Sequence, residues 1–335
     1  MSEPLLEVRE LRKVFVSGWM RSRRTVRAVQ EVSFALAAGE AVGLVGESGS
    51  GKSTVARLIA RLERPTAGQI LLNGRDVVAA EPRRASRDYR HQVQMIFQDP
   101  FSSLNPVHTI GYHLSRSVQI HGTAGGRPIS EAVAALLADV GLDHIGGIEA
   151  RYPHELSGGQ RQRAAIARTL AARPGLVVAD EPTSMLDVSV RVGILNLLGD
   201  LRRDRGIGML LITHDLASAR YSTDSVMVMY AGRILESGPS GDLITSPQHP
   251  YTRLLVSSVP RRSGARPAEA VRQAGQGAAQ AGCPFTARCP SRMTVCETTM
   301  PGVTQLAPGR FVRCHLHGPG GPVQGPGGAA SQEAS

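Results

Sequence analysis

Aromatic residues are scarce in this chain of 335 residues: Phe, Trp and Tyr together make 4% of it. That is too few to build the stacking platforms by which proteins hold single-stranded nucleic acid. Cysteine is missing from the first 282 residues, and Cys283, Cys289, Cys296 and Cys314 are all there are. A fold stapled throughout by disulfides is therefore excluded. No apolar run approaches the roughly 18 residues of a membrane span, so any work at a membrane has to pass through partners. The opening Met-Ser-Glu-Pro-Leu-Leu-Glu has no basic stretch followed by an apolar one. No signal peptide is expected, and the cytoplasm is the expected compartment. Acidic residues are outnumbered, 28 against 38 Lys and Arg, for a net charge of +10. The basic clusters, such as Arg21-Ser22-Arg23-Arg24 and Arg261-Arg262, are scattered along the chain. They read as a solvated surface near lipid headgroups, and no specific nucleic-acid partner is expected.

What is present starts with Gly46-Glu47-Ser48-Gly49-Ser50-Gly51-Lys52-Ser53-Thr54, which fits the P-loop pattern G-x-x-x-x-G-K-[ST]. Its glycines let several N–H groups converge on a phosphate chain, Lys52 can reach the outer phosphates, and Ser53 can offer a hydroxyl to Mg²⁺. Ala41 to Val45 reads as a short buried strand and Thr54 to Ala60 as a helix whose N-terminus faces the anion.

Around this loop the chain alternates strand and helix patterns. Leu5 to Leu11, Val26 to Val29 and Val32 to Leu36 read as strands, with an exposed hairpin loop over 17–24. Phe15, just before that loop, is either a base-stacking ring or ordinary core. Gln69 to Gly74 predicts a strand ending in an Asn-Gly turn, and Val93 to Phe97 a strand ending at Gln98. Residues 99–165 change character and predict a mostly helical insert, with a helix over 132–140, Ser130 as its N-cap and Gly141 as its stop. Ser157 caps a further helix, and Gly158-Gly159 leaves a second set of open amides. Gly175 to Ala179 and Met209 to Thr213 are buried strands that end in Asp180-Glu181 and His214-Asp215, where an α/β sheet places its ligands. Residues 225–236 predict a hairpin, 261–282 a flexible segment and 318–335 a disordered tail.

The ordered set resembles the ATP-binding subunit of an ABC transporter over roughly residues 5–245. It comprises the P-loop, Gln98, Leu156-Ser157-Gly158-Gly159-Gln160, Asp180-Glu181, Ser184-Met185-Leu186-Asp187 and His214. The resemblance implies an α/β P-loop NTPase core with an antiparallel β subdomain, a helical subdomain at about 99–165 and a small Cys-containing C-terminal extension. It implies ATP and Mg²⁺ as ligands. Gly46 to Thr54 and Phe15 would bind ATP; Ser53, Gln98 and Asp180 would hold the metal. Glu181 would act as general base, and His214 and Gln98 would orient the reaction. Leu156 to Gln160 would contact the ATP of a second ATPase subunit, with Asp187 at the dimer seam. Met185 stands where the family has a small residue.

Two stretches narrow the resemblance. Phe97-Gln98-Asp99-Pro100-Phe101-Ser102-Ser103-Leu104-Asn105-Pro106, and Pro247-Gln248-His249-Pro250-Tyr251-Thr252 followed by Cys283-Pro284-Phe285, are similar to segments of oligopeptide and dipeptide (and nickel) importer ATPases. This implies a C-terminal extension over 246–317, two transmembrane permease subunits, an extracytoplasmic solute-binding protein and a place at the cytoplasmic face of the membrane. A nickel or other small-solute importer, or a soluble ABC ATPase acting on nucleic acid or ribosomes, are the alternative readings. The C-x5-C-x6-C-x17-C spacing of the cysteines lacks the close pair of a zinc ribbon. Four thiolates suit a [4Fe–4S] cluster or Zn²⁺, free cysteines are the third reading, and the resemblance favours the cluster.

Overall fold

The protein's structure is a computed structural model that describes residues 3–17, 24–258 and 281–318. Residues 18–23 of the loop expected over 17–24, residues 261–280 of the 261–282 segment and the tail after Gly318 lie outside the described residues.

Two sheets organise the chain. The first contains β1 (Leu6–Ser17) and β2 (Arg24–Leu36). The strand β3 (Ala41–Val45) enters the second sheet and feeds the P-loop, while β4 (Ala67–Leu72) and β5 (Arg75–Asp76) complete the first in the order β2-β1-β4-β5. All of its pairings are antiparallel. The separate strands expected at 26–29 and 32–36 are one bulged strand. Glu10 and Glu31 sit at φ 46° and 57°, and the β1–β2 register slips near them, so the ribbon bends without breaking.

The second sheet follows the order β11-β12-β10-β9-β3-β8-β7-β6. Its central strands are β6 (Val93–Ile96), β7 (Leu176–Asp180), β8 (Gly208–Thr213) and β9 (Ser225–Tyr230), with β3 between β8 and β9, all parallel. β3, β7 and β8 are buried at every residue, which explains their continuous apolar runs. β10 (Arg233–Pro239) turns back antiparallel, and β12 (Arg310–Val312) and β11 (Thr304–Ala307) extend that edge. The C-terminal extension thus adds strands to the ATPase sheet. It also shares a core with it: Val226 and Val228 pack in one cluster with Tyr251, Phe285, Cys283 and Cys296.

The insert between β6 and β7 is helical, with helices Ile110–His121, Ile129–Asp139 and Gly158–Leu170. The second begins earlier than Ser130 would place it. Pro128 is its N-cap, with the extended ψ of 142° that precedes a helix, so Ser130 falls inside the first turn. Among the described residues no helix is long and apolar enough to cross a membrane.

Candidate active site

Four parallel strands deliver the site. β3, β8, β7 and β6 lie side by side, and each hands its carboxyl end to a polar segment: the P-loop, His214, Asp180-Glu181 and Gln98. These ends meet at a cavity of about 1150 Å³ lined by Ser48, Gly49, Gly51, Lys52, Ser53 and Thr54 together with Gln98, Glu181 and His214.

The loop's shape depends on its glycines. A Cβ on Gly46 would come 2.2 Å from the Met229 carbonyl oxygen. On Gly51, held at φ +106°, it would come 2.2 Å from that of Ala28. Nothing larger than hydrogen fits at either position without moving backbone. Gly51 is also the N-cap of the helix Lys52–Ile59, so the amides of the first turn open toward the cavity. Lys52 is buried, and its ammonium donates to the carbonyls of Gly46 at 2.8 Å and Glu47 at 2.9 Å. Burial pushes its pKa down, opposed by the nearby charges of Glu181, Asp180 and Glu47.

Ser53 Oγ donates to Asp180 Oδ1 at 3.0 Å, and Asp180 is buried at the end of β7. Burial raises the Asp180 pKa, and the Ser53 hydroxyl offsets part of that rise. One residue on, Glu181 has φ 47°, a left-handed backbone that costs a non-glycine residue on the order of 1–3 kcal/mol. Its N–H donates to Ile212 O at 2.8 Å, and its carbonyl accepts from Ser184 N and Oγ at 3.2 and 3.1 Å. These bonds hold the strained elbow and turn the carboxylate into the cavity. There Glu181 Oε2 accepts from Gln98 Nε2 at 3.2 Å and stands 3.2 Å from His214 Nδ1.

Other expected residues lie elsewhere. Phe15 does not line the cavity; its register partner Val26 does, and the Lys13 ammonium sits 4.7 Å above the Phe15 ring. Gly46, Glu47 and Ser50 are likewise absent from the lining and support the loop from behind. The segment Leu156 to Gln160 also stands apart from this cavity. Ser157 caps the helix as expected, accepting from Gln160 N while Gln160 Oε1 accepts from Ser157 N. A Cβ on Gly159 would lie 2.6 Å from Val190, so the segment packs beside the helix Val188–Arg205, whose N-cap is Asp187. Ser157, Gly158 and Asp187 are exposed, next to Met185 at 63% and Val188 at 78% exposure.

Sequence reasoning missed several lining residues. Arg24, Arg27 and Gln30 of β2 and Arg233 of β10 face the cavity, as do Ala281, Gly282, Pro284 and Met300 of the extension. Arg24 carried a signal in the basic run Arg21-Ser22-Arg23-Arg24, while Arg27, Gln30, Arg233 and the extension residues carried none.

The four cysteines are all free, and they gather around one small cavity of about 10 Å³ together with His249. Burial holds the thiols of Cys283 and Cys289 above their ordinary range and pushes Cys314 up to about 11. Burial pushes His249 down to about 3, with its Nδ1 accepting from Tyr251 N. Among the described residues no three of His, Cys, Asp or Glu are placed to hold a metal ion. The [4Fe–4S] or Zn²⁺ expected at these cysteines therefore finds no support in their placement.

A P-loop on β3, a buried aspartate and strained glutamate after β7, a glutamine after β6 and a histidine after β8 define an ATPase of the ABC class. Comparison with known proteins agrees. The ABC transporter family model matches residues 29–184, and the model for the C-terminal region of oligopeptide/dipeptide transporters matches residues 235–296. The oligopeptide transport ATP-binding protein AppF of Bacillus subtilis is 42% identical over 324 residues, covering 94% of this chain and 98% of that protein. A Brucella ovis protein, provisionally named as a peptide import ATP-binding protein, is 46% identical over 319 residues, covering 93% and 97%. Among solved structures, the dimeric post-hydrolysis state of the ATP-binding cassette MJ0796 with ADP and Pi superposes with a TM-score of 0.61. It is 26% identical and covers 70% of this chain and 98% of that one. CbiO1 of Clostridium perfringens, part of an ABC transporter complex, gives 0.60 at 26% identity, covering 73% and 92%. The chain belongs to the family of ABC transporter ATP-binding proteins, in the group that carries the oligopeptide/dipeptide transporter C-terminal region.

Proposed function

We propose that this chain hydrolyses ATP to drive uptake of oligopeptides or dipeptides through two partner permease subunits, fed by an extracytoplasmic binding protein. It would do so at the cytoplasmic face of the membrane. The observation that carries the catalytic part is the meeting of Gln98, Glu181 and His214 above a P-loop cavity. The peptide cargo rests on relatives that carry peptide-transport names. The proposed units are an ATPase domain over 5–245, with its helical subdomain at about 99–165, and the extension over 246–317.

In this reading the loop amides and Lys52 hold the phosphates. Ser53 and Asp180, already 3.0 Å apart, and Gln98 would hold Mg²⁺: hard oxygen ligands, few in number, with phosphates and waters left to complete the shell. The ion would neutralise charge on the β- and γ-phosphate oxygens. Glu181 takes a proton from the water that attacks the γ-phosphorus, and ADP leaves as the bridging bond breaks. The Glu181 elbow fixes that carboxylate, Gln98 donates to it, and His214 orients the water and the γ-phosphate. The second half of each site is assigned to another ATPase subunit. Its Leu156 to Gln160 segment would cover the phosphates, with Asp187 at the seam and exposed Met185 and Val188 supplying apolar contact. Phe15 would meet the adenine from β1, beside the cavity edge at Val26.

The test is uptake by vesicles that hold the chain with its permeases and binding protein. ATP-dependent accumulation of labelled di- and oligopeptides is expected. Accumulation of nickel alone would reassign the cargo, and ATP turnover that responds to RNA but never to permeases would overturn the transport reading.

A further inference from the structure

We infer that Arg288 and Tyr251 of the C-terminal extension are positioning residues for the P-loop, holding Glu47 so that the loop keeps its phosphate-binding shape. This rests on the ATP reading above.

Glu47 is the second residue of the loop, and each of its polar groups is held. Its N–H donates to the Tyr251 hydroxyl at 2.9 Å, across 204 residues of sequence. Its carboxylate accepts two parallel bonds from the Arg288 guanidinium, at 2.8 and 2.9 Å, across 241 residues. Its carbonyl accepts from Lys52 at 2.9 Å. The outer two grips come from the extension; the third is the loop's own lysine. A bidentate charged pair fixes both position and orientation, which a single bond does not.

The grips are rigid at their far ends. Tyr251 is fully buried, with ring centroids 4.7 Å from Tyr230 and 5.3 Å from Phe285. Arg288 lies at the end of the short helical turn Thr286–Arg288, its guanidinium 5.7 Å from the Phe285 ring. Tyr230 closes β9, which is hydrogen-bonded to β3, the strand that launches the loop. One aromatic cluster therefore ties the extension to both the sheet and the loop. The extension reaches the same cavity directly through Gly282, Pro284 and Met300. Committing the Glu47 N–H to Tyr251 leaves the later amides of the loop to the phosphates, and pairing Arg288 with Glu47 keeps that cation off them.

The mechanism predicts a change in affinity rather than in the chemical step. Binding of Mg-ATP to the purified full chain is measured by calorimetry, with steady-state turnover of the assembled transporter alongside. Arg288→Ala and Tyr251→Phe are each expected to weaken ATP binding by about 5–10-fold, the loss of one charged or well-placed hydrogen bond. Turnover at saturating ATP should stay within about twofold, because the reacting groups are untouched. Arg288→Lys, which keeps the charge but not the fork, should recover part of the loss. Arg292→Ala, on the exposed surface of the extension, should change nothing. Tyr251→Phe keeps the buried ring, so it reads the hydroxyl even if Arg288→Ala loosens the fold. By linkage, bound ATP should slow hydrogen exchange around residues 286–289 in the wild type but not in Arg288→Ala. Variants that melt earlier yet bind ATP as the wild type does would reduce the contact to an anchor and overturn the inference. A wild type that binds no ATP would overturn the nucleotide reading, and this inference with it.

Discussion

Replacing Glu181 with glutamine separates catalysis from everything else this residue does. The backbone elbow does not depend on the carboxylate: it is held by Glu181 N–H to Ile212 O and by Ser184 on the Glu181 carbonyl. Gln has the same length, and its amide oxygen can still accept from Gln98 Nε2, now 3.2 Å from Glu181 Oε2. What disappears is the proton acceptor. A positioned general base contributes about 10²–10⁴-fold, so the barrier should rise by roughly 3–5 kcal/mol and turnover fall by that factor. ATP affinity should change by less than about twofold, since uniform binding is untouched. Phosphate release at saturating ATP and equilibrium binding of ATP, measured on the same preparation, test both halves. A variant that keeps turnover within about threefold of wild type would refute the assignment of the base. One that loses binding as severely as turnover would make Glu181 a ligand-holding group instead.

Gly51→Ala should abolish ATP binding in a calorimetric titration, because its Cβ would lie 2.2 Å from the Ala28 carbonyl oxygen at a φ of +106°; retained micromolar binding would contradict the loop geometry. Phe285→Ala should cost about 3–5 kcal/mol in denaturant unfolding, since the ring is 1% exposed among Tyr230, Tyr251 and His249; a loss under about 1 kcal/mol would mean the extension does not share the sheet's core. Burial lowers the pKa of His113, against the bond between its Nε2 and Asn105 O and with help from Arg168 and His108. At this residue the unfolded chain therefore protonates first on acidification, so the stability His113 contributes is flat above about pH 6.5 and falls below it by at most about 1.4 kcal/mol per pH unit. Chemical unfolding of wild type and His113→Gln across pH 7 to 5 reads that contribution as a shallower slope in the variant, the remainder coming from His121 and His249, whose pKa values burial lowers in the same way.

Legibility in the sequence followed burial and short range. β3, β7 and β8 are buried on both faces, so their apolar runs stood out, and the polar residues that follow them were placed correctly at the strand ends. Ser157 was readable as a cap because its partner Gln160 is three residues away. Ser130 was misread because Pro128, two residues earlier, set the helix start by its backbone alone. β11 and β12 were not visible: β11 is mostly exposed, short and lacks an apolar alternation, it pairs with its neighbour β12, and β12 takes its other partner from an edge some seventy residues earlier in the chain. The Glu47–Arg288 pair spans 241 residues, and no local pattern encodes it. The four cysteines, which stood out by their clustering in the sequence, line one cavity, but their spacing could not report whether that cavity holds a ligand.

In the proposed mechanism one chain holds ATP alone but hydrolyses it only when a second subunit closes the site. The decisive variant is Ser157→Asp. Aspartate caps a helix as well as serine does, so the fold is kept, yet it sets a negative charge at the exposed N-terminus of the Gly158–Leu170 helix, where a partner's phosphates would sit. The isolated variant should bind ATP with wild-type affinity, because Ser157 does not line its own P-loop cavity. Turnover by the assembled transporter should collapse. Unchanged turnover, or loss of ATP binding by the isolated chain, would contradict a site shared between two subunits.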